Sequence, residues 1–79
     1  MKKDFSLKYK NDKNISPVEI FKKNLLELEI LCKQANKENF QIVLHSPDKI
    51  FEPQNVYELS VLLAEDMVKK FSNKNEIVR

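Results

Sequence analysis

Apolar residues along the first half of this chain recur in a helical rhythm that gives way to a strand. Val18, Phe21, Leu25, Leu28, Cys32 and Ala35 follow one another at spacings of three and four, so an α-helix puts them on one face. Ser16 offers a hydroxyl to the first free amides, Pro17 suits the first helical position, and Glu19 completes an S-x-x-E capping box. These signals predict a helix from Ser16 to near Asn36. Ile20 and Leu31 widen its stripe, whereas Leu26 and Ile30 fall among Glu19, Lys22, Lys23 and Lys33 on the nominally wet side. Either the chain's own loops cover those two residues or they form a partner surface. The run Phe40–His45 is short, β-branched and apolar on both faces, as an interior strand should be. Because the chain has no glycine, a left-handed residue ending the helix must be asparagine, with Asn36 and Asn39 as candidates.

Upstream, residues 3–9 alternate, with Phe5, Leu7 and Tyr9 on one side and Ser6 and Lys8 on the other, which is a strand period. Strand, helix and strand in succession predict parallel pairing of Phe5–Tyr9 with Phe40–His45. A polar linker, Lys10–Ile15, is expected to join the first strand to the Ser16 cap, and Ser46–Lys49 to form a turn or a single helical turn after the second strand. A second helix is expected from about Gln54 to Phe71. Its apolar face is Val56, Tyr57, Leu63, Ala64, Met67, Val68 and Phe71, with Ser60 in the stripe and Val61 at its edge. Leu59 and Leu62 fall outside that face, and Glu65 with Lys69 suits an i,i+4 pair. The polar tail 72–79 is expected to fray. The fold class is therefore a small α/β single domain spanning 1–79, with an ordered core from about 3 to 71. Its order is strand–helix–strand–helix, a parallel strand pair covered by helices. Two strands make a meagre sheet, which leaves room for an extra strand from the polar linker or from a partner chain.

Charge adds a constraint on partners. The net charge is +2, but it is unevenly spread. Residues 1–23 carry seven lysines against three acids, residues 24–68 three against eight, and residues 69–79 four basic residues against one acid. An acidic middle between basic ends argues against a continuous phosphate-binding stripe, so nucleic acid is not the expected partner. One cysteine excludes an internal disulfide and fits a reducing compartment. No apolar run approaches the roughly 18 residues of a membrane span, and no signal-peptide core follows the first lysines. The expectation is a cytoplasmic protein.

Candidate chemistry is sparse. The single histidine, His45, has no cysteine or acid at a metal-ligand spacing, and Cys32 lies on the apolar stripe as a buried thiol would. Without glycine there is no phosphate loop and no dinucleotide fingerprint. Glu27 and Glu29, like Glu65 and Asp66, point different ways on a helix and make no acid–base pair. An enzyme is not expected, nor is a cofactor or a metal.

The order of elements, with particular residues in phase, resembles the cytoplasmic C-terminal domain of the FlhB/YscU family, the export-switch proteins of flagellar and other type III secretion systems. The resemblance covers roughly residues 4–68. The family's first strand ends Ala-Leu-x-Tyr, close to Ser6-Leu7-Lys8-Tyr9, and a proline opens the first helix eight residues later, as Pro17 does. Ile20, Leu28 and Leu31 match apolar helix positions. Ala35, Asn39, Ile42 and Val43 match Ala-x-x-x-Asn-x-Pro-Ile-Val, with Gln41 in place of proline. Pro53–Glu58 is similar to the opening of the family's last helix, and between Pro47 and Pro53 the chain is shorter. Full-length members cleave themselves in an Asn-Pro-Thr-His motif ahead of the first strand. Aligned on Tyr9, this chain begins inside that motif with Lys2 at the histidine position, so self-cleavage is not expected. The resemblance implies a short stand-alone paralogue without the membrane domain.

The resemblance implies a non-enzymatic interaction module that binds export-apparatus proteins or export substrates, at the cytoplasmic face of a membrane export apparatus. It also implies a protein-binding patch of Ser16, Pro17, Val61 and Ala64, lying on one shallow apolar surface. Leu26, Ile30, Leu59 and Leu62 are candidates for a second interface. The rival reading is a homodimeric cytoplasmic regulatory protein, nucleic-acid associated through its basic N-terminal segment. Salt dependence would separate the two, because phosphate neutralisation weakens steeply with salt and apolar contact does not.

Overall fold

The computed structural model of the chain describes residues 1–10, 12–47 and 49–79. Asn11 of the predicted linker and Asp48 of the predicted turn lie outside the described residues. The elements are β1 (Lys2–Ser6), α1 (Pro17–Phe21), a π-helical turn (Lys22–Leu26), α2 (Glu27–Glu38), β2 (Gln41–His45), α3 (Val56–Phe71) and β3 (Glu76–Val78).

The three strands form one parallel sheet in the order β1-β2-β3. Parallel pairing of the first two strands is as predicted, with Phe5 opposite Leu44 and Lys3 opposite Ile42. The first strand ends earlier than its alternation suggested, at Ser6 rather than Tyr9. The third strand comes from neither the polar linker nor a partner chain. It comes from the tail expected to fray, and it pairs with β2 through Val43↔Glu76, Leu44↔Ile77 and His45↔Val78. Polar side chains seat it. Asn75 is buried, accepts the Ile42 N–H on Oδ1 at 2.9 Å and donates from Nδ2 to the Val68 carbonyl at 2.8 Å. Lys69 donates to the Asn75 carbonyl at 2.5 Å. Glu65 takes Arg79 at 2.5 Å and the Ser46 hydroxyl at 2.6 Å, so the expected Glu65–Lys69 pair gives way to two ties that hold the chain end.

Both helical connections pack on one face of the sheet. Ile42 and Leu44 of β2 meet Leu28, Cys32 and Ala35 of α2 and Ala64 and Val68 of α3, with Phe5 and Ile77 packed at the sides. The thinnest extent of the molecule, 16 Å, accommodates one helix of roughly 10–12 Å diameter on one sheet. The other face carries the alternate residues. Lys2 and Gln41 both reach Glu76, at 3.2 and 3.1 Å, and His45 Nε2 stands 2.9 Å from Asp4. Parallel sheets are seldom open on one side. Here a polar lattice stands over the open face, and Val43 lies beneath it with Asp4 and Glu76 as its register neighbours.

The long helical run begins as predicted, with Ser16 Oγ accepting the Glu19 N–H at 3.2 Å and Pro17 in the first turn. It ends on Asn39 at φ 61°, ψ 53°, the left-handed residue that the lack of glycine demands. Its phase departs from the prediction. The buried residues are Ile20, Asn24, Leu28, Cys32 and Ala35, whereas Val18 is 63% exposed and Phe21 and Leu25 are half-buried. In an unbroken α-helix Ile20 and Cys32 would stand about 120° apart. The π turn, whose end is marked by the Glu27 N–H bonding to the Lys22 carbonyl, takes in one extra residue and brings them to within about 20°. In α3 the buried residues are Tyr57, Ser60, Val61, Ala64 and Val68, while Leu63 of the predicted face is 44% exposed. Ala64 and Val68 pack on the sheet, Val61 from the edge of the predicted stripe is fully buried, and Leu63 is turned outward.

Leu28 is fully buried at the centre of the core. Leu28→Ala should cost about 2–5 kcal/mol, and Leu63→Ala well under half as much. Urea unfolding of the two variants checks this, and equal losses would show that the helix phases are wrong.

Candidate functional site

The sequence leaves the loop from Leu7 to Ile15 without an obvious partner; the structure gives it one. Asn24, fully buried in the π turn, accepts the Lys8 N–H on Oδ1 at 2.8 Å and donates from Nδ2 to the Lys8 carbonyl at 3.0 Å. The same amide nitrogen lies 3.2 Å from the Ser60 hydroxyl of α3, which in turn donates to the Tyr57 carbonyl at 2.6 Å. One side chain thus joins the loop to both helices. The chain reverses at Tyr9, which sits at φ 73°, a left-handed conformation that costs a bulky residue roughly 1–3 kcal/mol.

The turn frames a concavity of about 410 Å³ between that loop and the first turn of α3. Ile15, Pro17, Ile20, Val56 and Tyr57 make its apolar wall, and Tyr9, Lys10, Asp12, Lys13 and Asn55 its rim. Asn55 caps α3 by accepting the Glu58 N–H at 2.8 Å, and the Glu58 carboxylate accepts the Gln54 N–H at 2.8 Å. This reciprocal cap fixes the position of Val56 and Tyr57.

Measured against this geometry, the predicted patch divides. Ser16 and Pro17 are exposed, and Pro17 lines the concavity. Val61 and Ala64 have no exposed surface at all and belong to the core. The four therefore do not share an apolar surface, and what faces Pro17 is the α3 start at Asn55–Tyr57. Of the second set, Leu26 and Ile30 project from α2 at 53% and 65% exposure, Leu59 is exposed, and Leu62 is half-buried. Ile30 lines a groove of about 300 Å³ with Phe5, Glu27, Leu31 and Gln34, beside β1. Tyr9, Ile15 and Val56 were absent from the sequence-derived site. The apolar Ile15 just ahead of the Ser16 cap, where a residue staples a helix entry, was the one available sign.

His45 ends β2 on the open face and is engaged with Asp4. Cys32 is buried, and burial pushes its thiol up from 9.0 to about 11. Among the described residues no three His, Cys, Asp or Glu side chains converge as a metal site would require. Among the same residues, no helix is long and apolar enough to cross a membrane. Compared with known proteins, the chain matches no family model, no curated protein and no solved structure.

A thiol pushed up by the fold favours the folded state fully below the unfolded value near 9, and that contribution is lost as pH rises toward 11. Stability should fall across that window, and more steeply than in Cys32→Ala. Matching alkaline slopes in the two proteins would show that the thiol is not desolvated. At pH 8 a disulfide reagent should label Cys32 no faster than the chain opens.

Proposed function

We propose that this chain is a non-enzymatic protein-interaction module, similar in role to the export-switch domain of type III and flagellar protein export. In this reading it binds an apolar segment of an export substrate or apparatus component, in the cytoplasm at the face of the export apparatus. The observation that carries the reading is the concavity at the Pro17 corner. It is walled by Ile15, Pro17, Ile20, Val56 and Tyr57 and rimmed by Lys10 and Lys13. Such a wall takes up an apolar side chain by removing water from both surfaces, at roughly 25 cal/mol per Å² buried. A site lined by apolar side chains, two lysines, an aspartate and an asparagine suits docking more readily than covalent or acid–base chemistry. The ordering of strand, Pro-initiated helix, parallel strand and helix also agrees with the family pattern.

The site differs from the patch the resemblance implied, because its second wall is the first turn of α3 rather than Val61 and Ala64. Acidic substitutions there can be tested without wrecking the fold. Pro17 and Val56 open their helices, where a carboxylate meets the positive end of the helix dipole. Pro17→Glu and Val56→Asp should leave the circular-dichroism melt within a few degrees of the parent and weaken binding of a hook- or rod-type export substrate at least tenfold. Unchanged binding in both folded variants would remove this site from consideration.

A further inference from the structure

We propose that the outer edge of β1 joins a second copy of this chain, antiparallel, to make one continuous six-stranded sheet. The edge is open. β1 pairs only with β2, and the Gln41 N–H bonds to the Met1 carbonyl at 3.0 Å. In a parallel ladder this turns the backbone groups of Met1, Lys3 and Phe5 inward and those of Lys2, Asp4 and Ser6 outward. β3 is a poor alternative, being three residues long.

Side-chain chemistry selects the register. Antiparallel pairing that keeps both helix layers on one side must place residues of like parity opposite each other. A register centred on Asp4 sets Asp4 against Asp4. A register centred on Phe5 carries Lys2 onto Lys8. Centring on Lys3 instead places Lys2, which reaches Glu76 in its own chain, opposite Asp4, which reaches His45, twice, as hydrogen-bonded pairs with four backbone bonds that extend both ion pairs across the seam. Met1, 82% exposed in the single chain, then lies beside Phe5 of the second copy. The one like pair, Lys3 with Lys3, is eased because each ammonium already sits over its own Phe40 ring at 4.6 Å.

The helix layer fits the same arrangement. α2 packs on Ile42 and Leu44 of β2, and its Ile30 and Leu31 stand beside Phe5 of β1. Two copies joined at β1 therefore turn the Ile30 sides of their α2 helices toward each other across the two-fold axis. The facing surface carries Ile30 and the groove it forms with Phe5 and Leu31. The exposure of Ile30 is what this contact covers. None of these residues lines the concavity at Pro17, so the inference stands apart from the proposed function.

The test is sedimentation equilibrium of the full chain and of charge-swapped variants. The parent should sediment at twice the 9.4 kDa chain mass at micromolar concentration. Lys2→Asp and Asp4→Lys should each raise the dissociation constant at least tenfold, and the double swap should restore it to within a few-fold. Ile30→Asp, on an exposed helix position, should also give monomer with its circular dichroism retained. A parent that stays monomeric at 0.5 mM (about the highest working concentration), or a dimer indifferent to all four variants, overturns the proposal.

Discussion

Everything near the proposed site depends on the buried amide of Asn24. A primary amide taken out of water without partners costs about 1–3 kcal/mol, so it must be satisfied on all sides. Here it bonds to both backbone groups of Lys8, as a neighbouring strand would, and also to Ser60. Residue 24 lies within the π turn, which keeps Ile20 before it and Leu28 and Cys32 after it on one core face. The local helical irregularity and the loop position are therefore one device. With Lys8 held, the chain must turn at once, and Tyr9 takes the left-handed conformation that sets the rim of the concavity.

Asparagine does comparable work elsewhere in a chain that lacks glycine. Asn39 provides the left-handed helix end, Asn55 caps α3, and Asn75 bridges the end of α3 to β2 so that the tail can pair. Each uses a short side chain carrying both donor and acceptor to finish a backbone pattern. The tail is consequently an integral part of the sheet. Its strand adds a third member to the sheet, with Ile77 packed beside the core that Ala64 and Val68 help to form.

The parts legible in the sequence were those set by local rules. The Ser16–Pro17 helix start, the asparagine stop, the Phe40–His45 strand and its parallel partner all followed from capping, period and connection length. What failed depended on contacts remote in sequence. A π turn leaves no mark in a three-and-four periodicity, so Val18 and Phe21 were placed inward where Ile20 and Asn24 are found. Glu76–Val78 is too short to announce a strand and is ordered by Asn75, Lys69 and Glu65, whose partners lie on other elements. Val61 and Ala64 were assigned to a surface although both are core, because the elements that cover α3 are remote from it in sequence. Pro17 lines the concavity, but its neighbours there, Tyr9 and Val56, lie far apart in sequence and meet only in the fold.

The concavity and the β1 edge involve different residues, yet both are set by the course of the chain from β1 through the π turn. The most direct measurement of that course is backbone amide exchange at Lys8. An amide in a loop of this kind exchanges freely unless it is bonded within cooperative structure. Bonded to the buried Asn24, the Lys8 amide should be protected to nearly the same opening free energy as the core amides of α2, and Asn24→Ala should abolish that protection. Exchange at the rate of an unstructured loop in the parent protein would contradict the account.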